Sequence, residues 1–258
     1  MNILQRIIRK VNSNRSVLLS RAKVKQVDKN ILHLLFPNVD GFYLPYSSAK
    51  NIDQRQLNMV SKGLSEWLIE KYTTDIIGIR NSDVVIDCGA FVGGFTIAAS
   101  RAGARMIYSV EPSSRNFKCF NLNIAELGFK QKVTPLNIAL GNKNEILSLN
   151  LSESGCDDSL LEPDEGDLKT VEKVQVKTLK EIISTYKIDP TNLFLKVEAE
   201  GFEPEVIYGL GEYKPRVIVV DITPERDGRS PKNEITEHLQ DKGYVTLETD
   251  RCLFATFE

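Results

Sequence analysis

Apolar residues recur along the chain in two different periods. In "DQRQLNMVSKGLSEWLIEKY" (53–72), Leu57, Val60, Leu64, Trp67 and Leu68 stand three and four positions apart, which predicts one amphipathic helix. Beyond residue 80 the pattern changes to short unbroken apolar runs: "VVIDC" (84–88), "MIYSV" (106–110), "VTPLN" (133–137), "LFLKV" (193–197) and "RVIVVDI" (216–222). Helical stretches separate some of them, including "SSRNFKCFNLNIAEL" (113–127) and "PKNEITEHLQDKG" (231–243). Continuous apolar strands alternating with helices predict an α/β fold, with a mostly parallel sheet covered on both faces. Two helix starts are marked, by Thr178 with Glu181 as a capping box and by Ser230 before Pro231. "ILSLNL" (146–151) and "EKVQVKT" (172–178) alternate as strands do and flank an acidic stretch, "SESGCDDSLLEPDEGD" (152–167), read as a loop that covers a site. "YVTLE" (244–248) and "CLFATF" (252–257) read as a hairpin, which a plain dinucleotide-binding fold lacks.

Composition changes this picture little, except at the start. With 258 residues, 41% apolar, 26% charged and a net charge of −2, the chain is ordinary for a soluble globular protein and has no general pull toward nucleic acid. Cys88, Cys119, Cys156 and Cys252 form no CxxC pair and read as free thiols in a reducing, cytoplasmic setting. No apolar run reaches the length of a membrane span. Residues 1–27, however, carry seven Lys or Arg and no Asp or Glu, with Ile3, Leu4, Ile7, Ile8 and Val11 on one helical face. A helix packed on the main domain is expected there. The same composition suits peripheral contact with an anionic membrane or a mitochondrial presequence. The chain thus divides into an N-terminal helical and basic segment (1–78) and a main domain (79–258), whose acidic insert is placed at 152–172.

"VVIDCGAFVGGFT" (84–96) carries the most specific chemistry. A strand ends in Asp87, Gly89 follows, then Gly93 and Gly94, then a helix from about Phe95. Nucleotide-like ligands sit outside the carboxyl end of such a strand, against the next helix, and glycines let the backbone approach them. The GxxxG spacing is not the GxGxxG that suits a pyrophosphate. Asp87 would repel a pyrophosphate and suits a cationic ligand. The second strand ends in Glu111, where a carboxylate accepts from the 2′- and 3′-hydroxyls of a ribose. Together these point to S-adenosylmethionine. Each carboxylate alone equally suits a helix N-terminus.

"VVIDCGAFVGGFT", "IYSVEPSSRNFKCFNLNI", "NIALGN" (137–142) and "LFLKVEAEGFEPEVIYG" together resemble the FkbM family of S-adenosylmethionine-dependent O-methyltransferases, over roughly residues 80–222. The resemblance implies a class I methyltransferase: a Rossmann-like sheet of seven strands with the terminal hairpin reversed. It implies cofactor contacts at Asp87, Gly89, Gly93 and Glu111, with Ala90 and Pro112 beside them, and Asn137 or Ile138 near the adenine. A sugar, a glycan precursor or a secondary metabolite is the implied acceptor. Two positions depart from the family pattern. Phe91 stands where Asn is usual, and Glu198 where Asp is usual, in Lys196-Val197-Glu198-Ala199-Glu200-Gly201.

In a doubly wound sheet, residues leaving the strand at 193–197 emerge on the ligand side, which sets Glu198 and Glu200 beside the transferable methyl group. Either acid then serves as base for a hydroxyl, its pKa raised by burial. Alternatively the two hold a magnesium ion that lowers the hydroxyl pKa. Lys196 is placed to pair with either, and Glu203 to begin the next helix. Asp221 with "DITPERDGR", Ser159 and Leu160 are placed on the acceptor rim, and His33 and His238 outside the site. The acidic loop argues against a nucleic-acid acceptor. Two rivals remain: an inactive S-adenosylmethionine-binding module, favoured by Phe91 and Glu198, and an NAD-dependent oxidoreductase, disfavoured by GxxxG and the hairpin.

Overall fold

The computed structural model describes residues 21–46, 54–152, 155–161 and 170–257. Most of the basic amphipathic stretch, residues 1–20, lies outside them. The N-terminal segment is not helical throughout. β1 (Lys23–Asp28), β2 (Ile31–Leu35) and β3 (Phe42–Pro45) form an antiparallel three-stranded sheet. Its apolar residues, Leu34, Phe42 and Leu44 among them, share one core with Phe95, Phe120 and Phe194 of the main domain. The division at residue 78 therefore cuts through a common core. The single helix predicted over 53–72 is two, α1 (Gln54–Ser61) and α2 (Leu64–Tyr72), broken at Gly63, whose φ of +85° no helix accommodates.

From residue 84 the chain alternates as the pattern predicts. β4 (Val84–Cys88) leads to α3 (Gly94–Arg101), β5 (Met106–Val110) to α4 (Ser114–Glu126), then β6 (Val133–Leu136) and the short β7 (Ala139–Gly141). β8 (Glu145–Leu151) and β9 (Thr170–Thr178) form the antiparallel pair that flanks the acidic insert. The insert ends earlier than expected, because residues 170–172 continue the ladder opposite 149–151. α5 (Leu179–Thr185) follows, then β10 (Leu193–Val197), α6 (Glu203–Tyr208), β11 (Val217–Asp221), α7 (Lys232–Asp241), β12 (Val245–Glu248) and β13 (Cys252–Thr256). Thr178 caps α5 by accepting from the Glu181 N–H at 3.1 Å, while the Glu181 carboxylate turns to Lys177 and Asn144, so the capping box is half made.

The main sheet has the order β12-β13-β11-β10-β4-β5-β6. Four neighbouring pairs, from β11 through β6, are parallel, and β13 lies antiparallel between β11 and β12. β4, β10 and β11 are buried at every position, which is why they read as unbroken apolar runs. Alternate residues serve opposite faces. Val85, Phe194 and Val219 join the core under the N-terminal sheet and α1–α4. Val84, Leu195 and Val220 join the one under α5, α6 and α7. α2 closes on the start of α3, where a Cβ at Gly94 would lie 2.6 Å from Leu64 Cγ and 2.7 Å from Leu68 Cδ1. Only glycine permits that approach, so the second glycine of the pair serves helix packing.

Candidate functional site

A cavity of about 260 Å³ opens at the carboxyl ends of β4, β5 and β10. The glycine loop (Gly89, Ala90, Phe91) forms its floor with Glu111 and Pro112 from the end of β5. Trp67 and Leu68 of α2 wall one side, and Ala139 and Leu140 another. Asp157, Asp158 and Leu160 of the acidic insert also line it, so the insert does cover the site. It is tied down by Arg55 of α1, which donates to Asp157 at 2.6 and 2.8 Å, and by Arg115 of α4, 2.5 Å from Asp158.

The loop's shape follows from a few backbone contacts. Gly89 has φ +74°, and a Cβ there would lie 1.7 Å from the Glu198 carbonyl oxygen. The N–H groups of Gly89 and Ala90 both donate to the Val110 carbonyl, at 3.0 and 2.9 Å. Phe91 sits at φ +49°, a conformation that Asn tolerates and an aromatic residue resists. The Phe91 N–H donates to Glu111 Oε2 at 2.8 Å. Glu111 Oε1 accepts from the Ser113 N–H at 3.0 Å and from Asn116 Nδ2 at 3.3 Å. Glu111 thus both caps the start of α4 and faces the cavity. Burial, with Asp158 nearby, pushes its pKa up to about 8. The buried Oδ1 of Asn116, beside it in the wall, has no hydrogen-bond partner among the described residues.

Four expected cofactor contacts stand back from the cavity wall. Asp87 is fully buried, accepts from Thr96 Oγ1 at 2.6 Å and pairs with Lys196 Nζ at 3.1 Å, so its charge is already neutralised inside the protein. Gly93 sets the turn into α3. Asn137 donates to the Glu111 and Pro112 carbonyls at 2.9 and 3.0 Å and holds that turn. Ile138 packs into the core, and the next two residues, Ala139 and Leu140, line the cavity in its place.

The acids after β10 divide into two kinds. Glu198 lines the cavity but accepts from Lys71 Nζ of α2 at 2.6 Å and lies 3.3 Å from Lys196 Nζ. Burial alone would raise its pKa; Lys196 and Lys71 outweigh that and bring it down to about 2. Glu198 therefore lacks the raised pKa that was expected from burial alone. Nor are its oxygens free to share a magnesium ion with Glu200, and among the described residues no three His, Cys, Asp or Glu form a metal-holding group. Lys196 is likewise committed. It donates to the Cys88 and Gly89 carbonyls at 3.1 and 2.8 Å, and Asp87 and Glu198 overcome its burial to hold it protonated.

Glu200 is different. It lines the cavity at φ +49°, and among the described residues no lysine pairs with it. Burial, then the neighbouring Glu225 and Glu198, push its pKa well above the carboxylate range. Ser159 Oγ donates to its carbonyl at 2.8 Å, joining the insert to this turn. Glu203 begins α6 as expected, and its Oε1 also accepts from the Ala199 N–H at 2.6 Å, which staples the turn; burial pushes its pKa up to about 8. Of the "DITPERDGR" stretch, Glu225 reaches the cavity, while Asp221 pairs with Lys71 at 2.5 Å. His33 stacks on Tyr43, and His238 packs edge-on against Tyr208, both away from the cavity.

Sequence reasoning missed Lys71, which carried a readable mark: it falls four residues after Trp67 and seven after Leu64, on the apolar stripe of its helix. Glu225 was placed only as part of the "DITPERDGR" rim and not singled out within it.

These shifts have a consequence for stability. Glu111 and Glu203 hold protons up to about pH 8 when folded, whereas an unfolded glutamate releases its proton near 4.5. Between those limits the folded state binds more protons, so stability falls as pH rises. Glu200 and Glu225 act in the same direction. His33 and His238, lowered by burial from 6.5, oppose this only below that value. The Tm of the ligand-free chain is therefore expected to fall from about pH 6.5 to about pH 8.5 at constant ionic strength. A Tm that rises over that window contradicts the assignment.

A sheet of this order with one reversed strand, a glycine loop after its first central strand and an acid closing the next make up the class I methyltransferase fold. Residues 87–246 match the methyltransferase FkbM domain, more than half of the chain, and the protein belongs to that family. Among solved structures it is similar to precorrin-6y C5,15-methyltransferase from Geobacter metallireducens, at 14% identity and TM-score 0.43, over 83% of this chain and 94% of that one. An O-methyltransferase from Bacillus cereus in complex with SAH is 12% identical with TM-score 0.44, over 82% and 84%. A SAM-dependent methyltransferase from Aquifex aeolicus is 15% identical with TM-score 0.40, over 74% and 87%. No curated protein sequence matches the chain. Among the described residues no helix is long and apolar enough to cross a membrane.

Proposed function

We propose that the chain methylates a hydroxyl of a sugar, a glycan precursor or a secondary metabolite, with Glu200 as the base. One observation carries this reading: Glu200 is the acid of the 198–200 turn that lines the cavity with no ammonium partner among the described residues, in surroundings that raise its proton affinity. A neutral hydroxyl must lose its proton as it attacks, and a carboxylate with a raised pKa takes it more readily than one held at about 2.

The cavity suits S-adenosylmethionine. Glu111 and the unpartnered Asn116 Oδ1 stand together in its wall as acceptors for ribose hydroxyls, and Pro112, Ala139 and Leu140 offer an apolar surface for a base. Gly89 lets the backbone come close. Bound there, the cofactor supplies an electrophilic methyl group on a sulfonium sulfur. Glu200 accepts the acceptor's proton, and the insert residues Asp157, Asp158 and Leu160 keep bulk water from the reacting groups. The acid-rich wall favours a neutral or cationic acceptor over a phosphate-bearing one.

Calorimetric titration with S-adenosylhomocysteine, run beside NAD, tests the site. Binding of the former alone is expected; binding of NAD alone would replace this reading with the oxidoreductase one. A screen of hydroxylated acceptors with methyl-labelled cofactor then tests the reaction.

A further inference from the structure

Five charges form an unbroken chain across the carboxyl edge of the sheet. Asp221 pairs with Lys71 at 2.5 Å, Lys71 with Glu198 at 2.6 Å, Glu198 with Lys196 at 3.3 Å, and Lys196 with Asp87 at 3.1 Å. Four members come from β4, β10 and β11 or their ends, and the fifth, Lys71, from α2. The chain holds three carboxylates and two ammonium groups.

Lys71 is 8% exposed and points inward from the apolar face of its helix. A tether between α2 and the sheet would be complete with Asp221, which is only 2% exposed. The second pairing goes instead to Glu198, the most exposed of the five at 26% and a member of the cavity wall. The Glu198 carboxylate stands between Lys196 at the end of β10 and Lys71 of the helix.

We propose that Lys71 is a positioning residue for methyl transfer: it fixes the Glu198 carboxylate in the cavity wall, so that α2 is part of the site although it lies outside residues 87–246. This rests on reading the cavity as the methyl-transfer site. The charged and titratable groups around Glu198 are Lys71 and Tyr72 from α2, Lys196 and Glu200 from β10 and its turn, Asp221 and Glu225 from β11 and its loop, and Cys252 from β13. Of these only the two lysines are cations. Removing Lys71 leaves Glu198 with one ammonium group that Asp87 already shares.

The test uses the full chain labelled with 13C at the glutamate carboxyls, the Glu198 signal being assigned with Glu198→Gln. In the wild type that signal is expected to stay flat from about pH 4 to about pH 8, and in Lys71→Met to titrate within that range. The Kd for S-adenosylhomocysteine is expected to rise roughly 10- to 100-fold in Lys71→Met, with recovery in Lys71→Arg. Glu198→Asp probes the same contact without removing a charge and serves if Lys71→Met does not fold: it is expected to weaken binding by a similar factor. Unchanged or tighter binding in Glu198→Asp, or an untitrated Glu198 in a folded Lys71→Met, overturns the proposal. A wild type that fails to bind S-adenosylhomocysteine overturns the reading of the cavity, while the 13C titration still decides whether Lys71 sets Glu198.

Discussion

Gly89→Ala is expected to abolish S-adenosylhomocysteine binding and to destabilise the chain by about 3 kcal/mol or more. Two independent costs meet at this residue. Its φ of +74° disfavours any Cβ, and the Cβ would lie 1.7 Å from the Glu198 carbonyl oxygen. That obstacle is backbone, so no side-chain rotation relieves it. Relief requires the loop after β4 to separate from the turn after β10, and with it the Lys196 hydrogen bonds to the Cys88 and Gly89 carbonyls. Both walls of the cavity move. Urea unfolding gives the stability change and calorimetry the loss of binding. Gly78→Ala, where a Cβ meets nothing within 4 Å, is the control. Binding within threefold of wild type in Gly89→Ala would show that the loop does not contact the cofactor.

The second large effect is chemical rather than conformational. Glu200→Gln keeps the shape of the side chain and removes its proton affinity. Methyl transfer is expected to slow by about 10²–10⁴-fold, with the affinity for S-adenosylhomocysteine changed only a few-fold. The wild-type rate should rise with pH toward and beyond neutrality, because the raised pKa of Glu200 leaves it protonated in acid. That limb should vanish in the variant. A loss below threefold would move the base elsewhere, first to Glu225, whose pKa is raised by the same burial.

The sheet was readable in the sequence because its central strands are buried on both faces, so "VVIDC", "LFLKV" and "RVIVVDI" appear as unbroken apolar runs. The meander at 23–45 was not. β1 is largely exposed, and the basic composition before residue 28 favoured a helical reading. At the site, the glycine loop and Glu111 were visible because backbone geometry and strand ends constrain residue type locally. The ion pairs of Asp87 and Glu198 were not legible for one reason: their partners are remote. Lys71 lies 127 positions before Glu198, and Lys196 pairs with Asp87 on the adjacent strand β4, far away in sequence. A carboxylate's pKa depends on which charges the fold brings within about 4 Å, and sequence order does not reveal that.

The reversed strand also bears on how the chain is made. β13 fills the gap between β11 and β12, so residues 252–256 must emerge before the ladder at Val217–Asp221 has its last neighbour. Residue 256 follows residue 221 by 35 positions. At ribosomal speeds of roughly 5–20 residues per second, that apolar edge stays unpaired for about 2–7 seconds of synthesis. During this interval the nascent protein presents an open strand of the kind that seeks neighbours on other chains. Slow translation of the stretch before β13 would lengthen the exposure. The yield of folded protein is thus tied to the pace at which its last described strand is delivered.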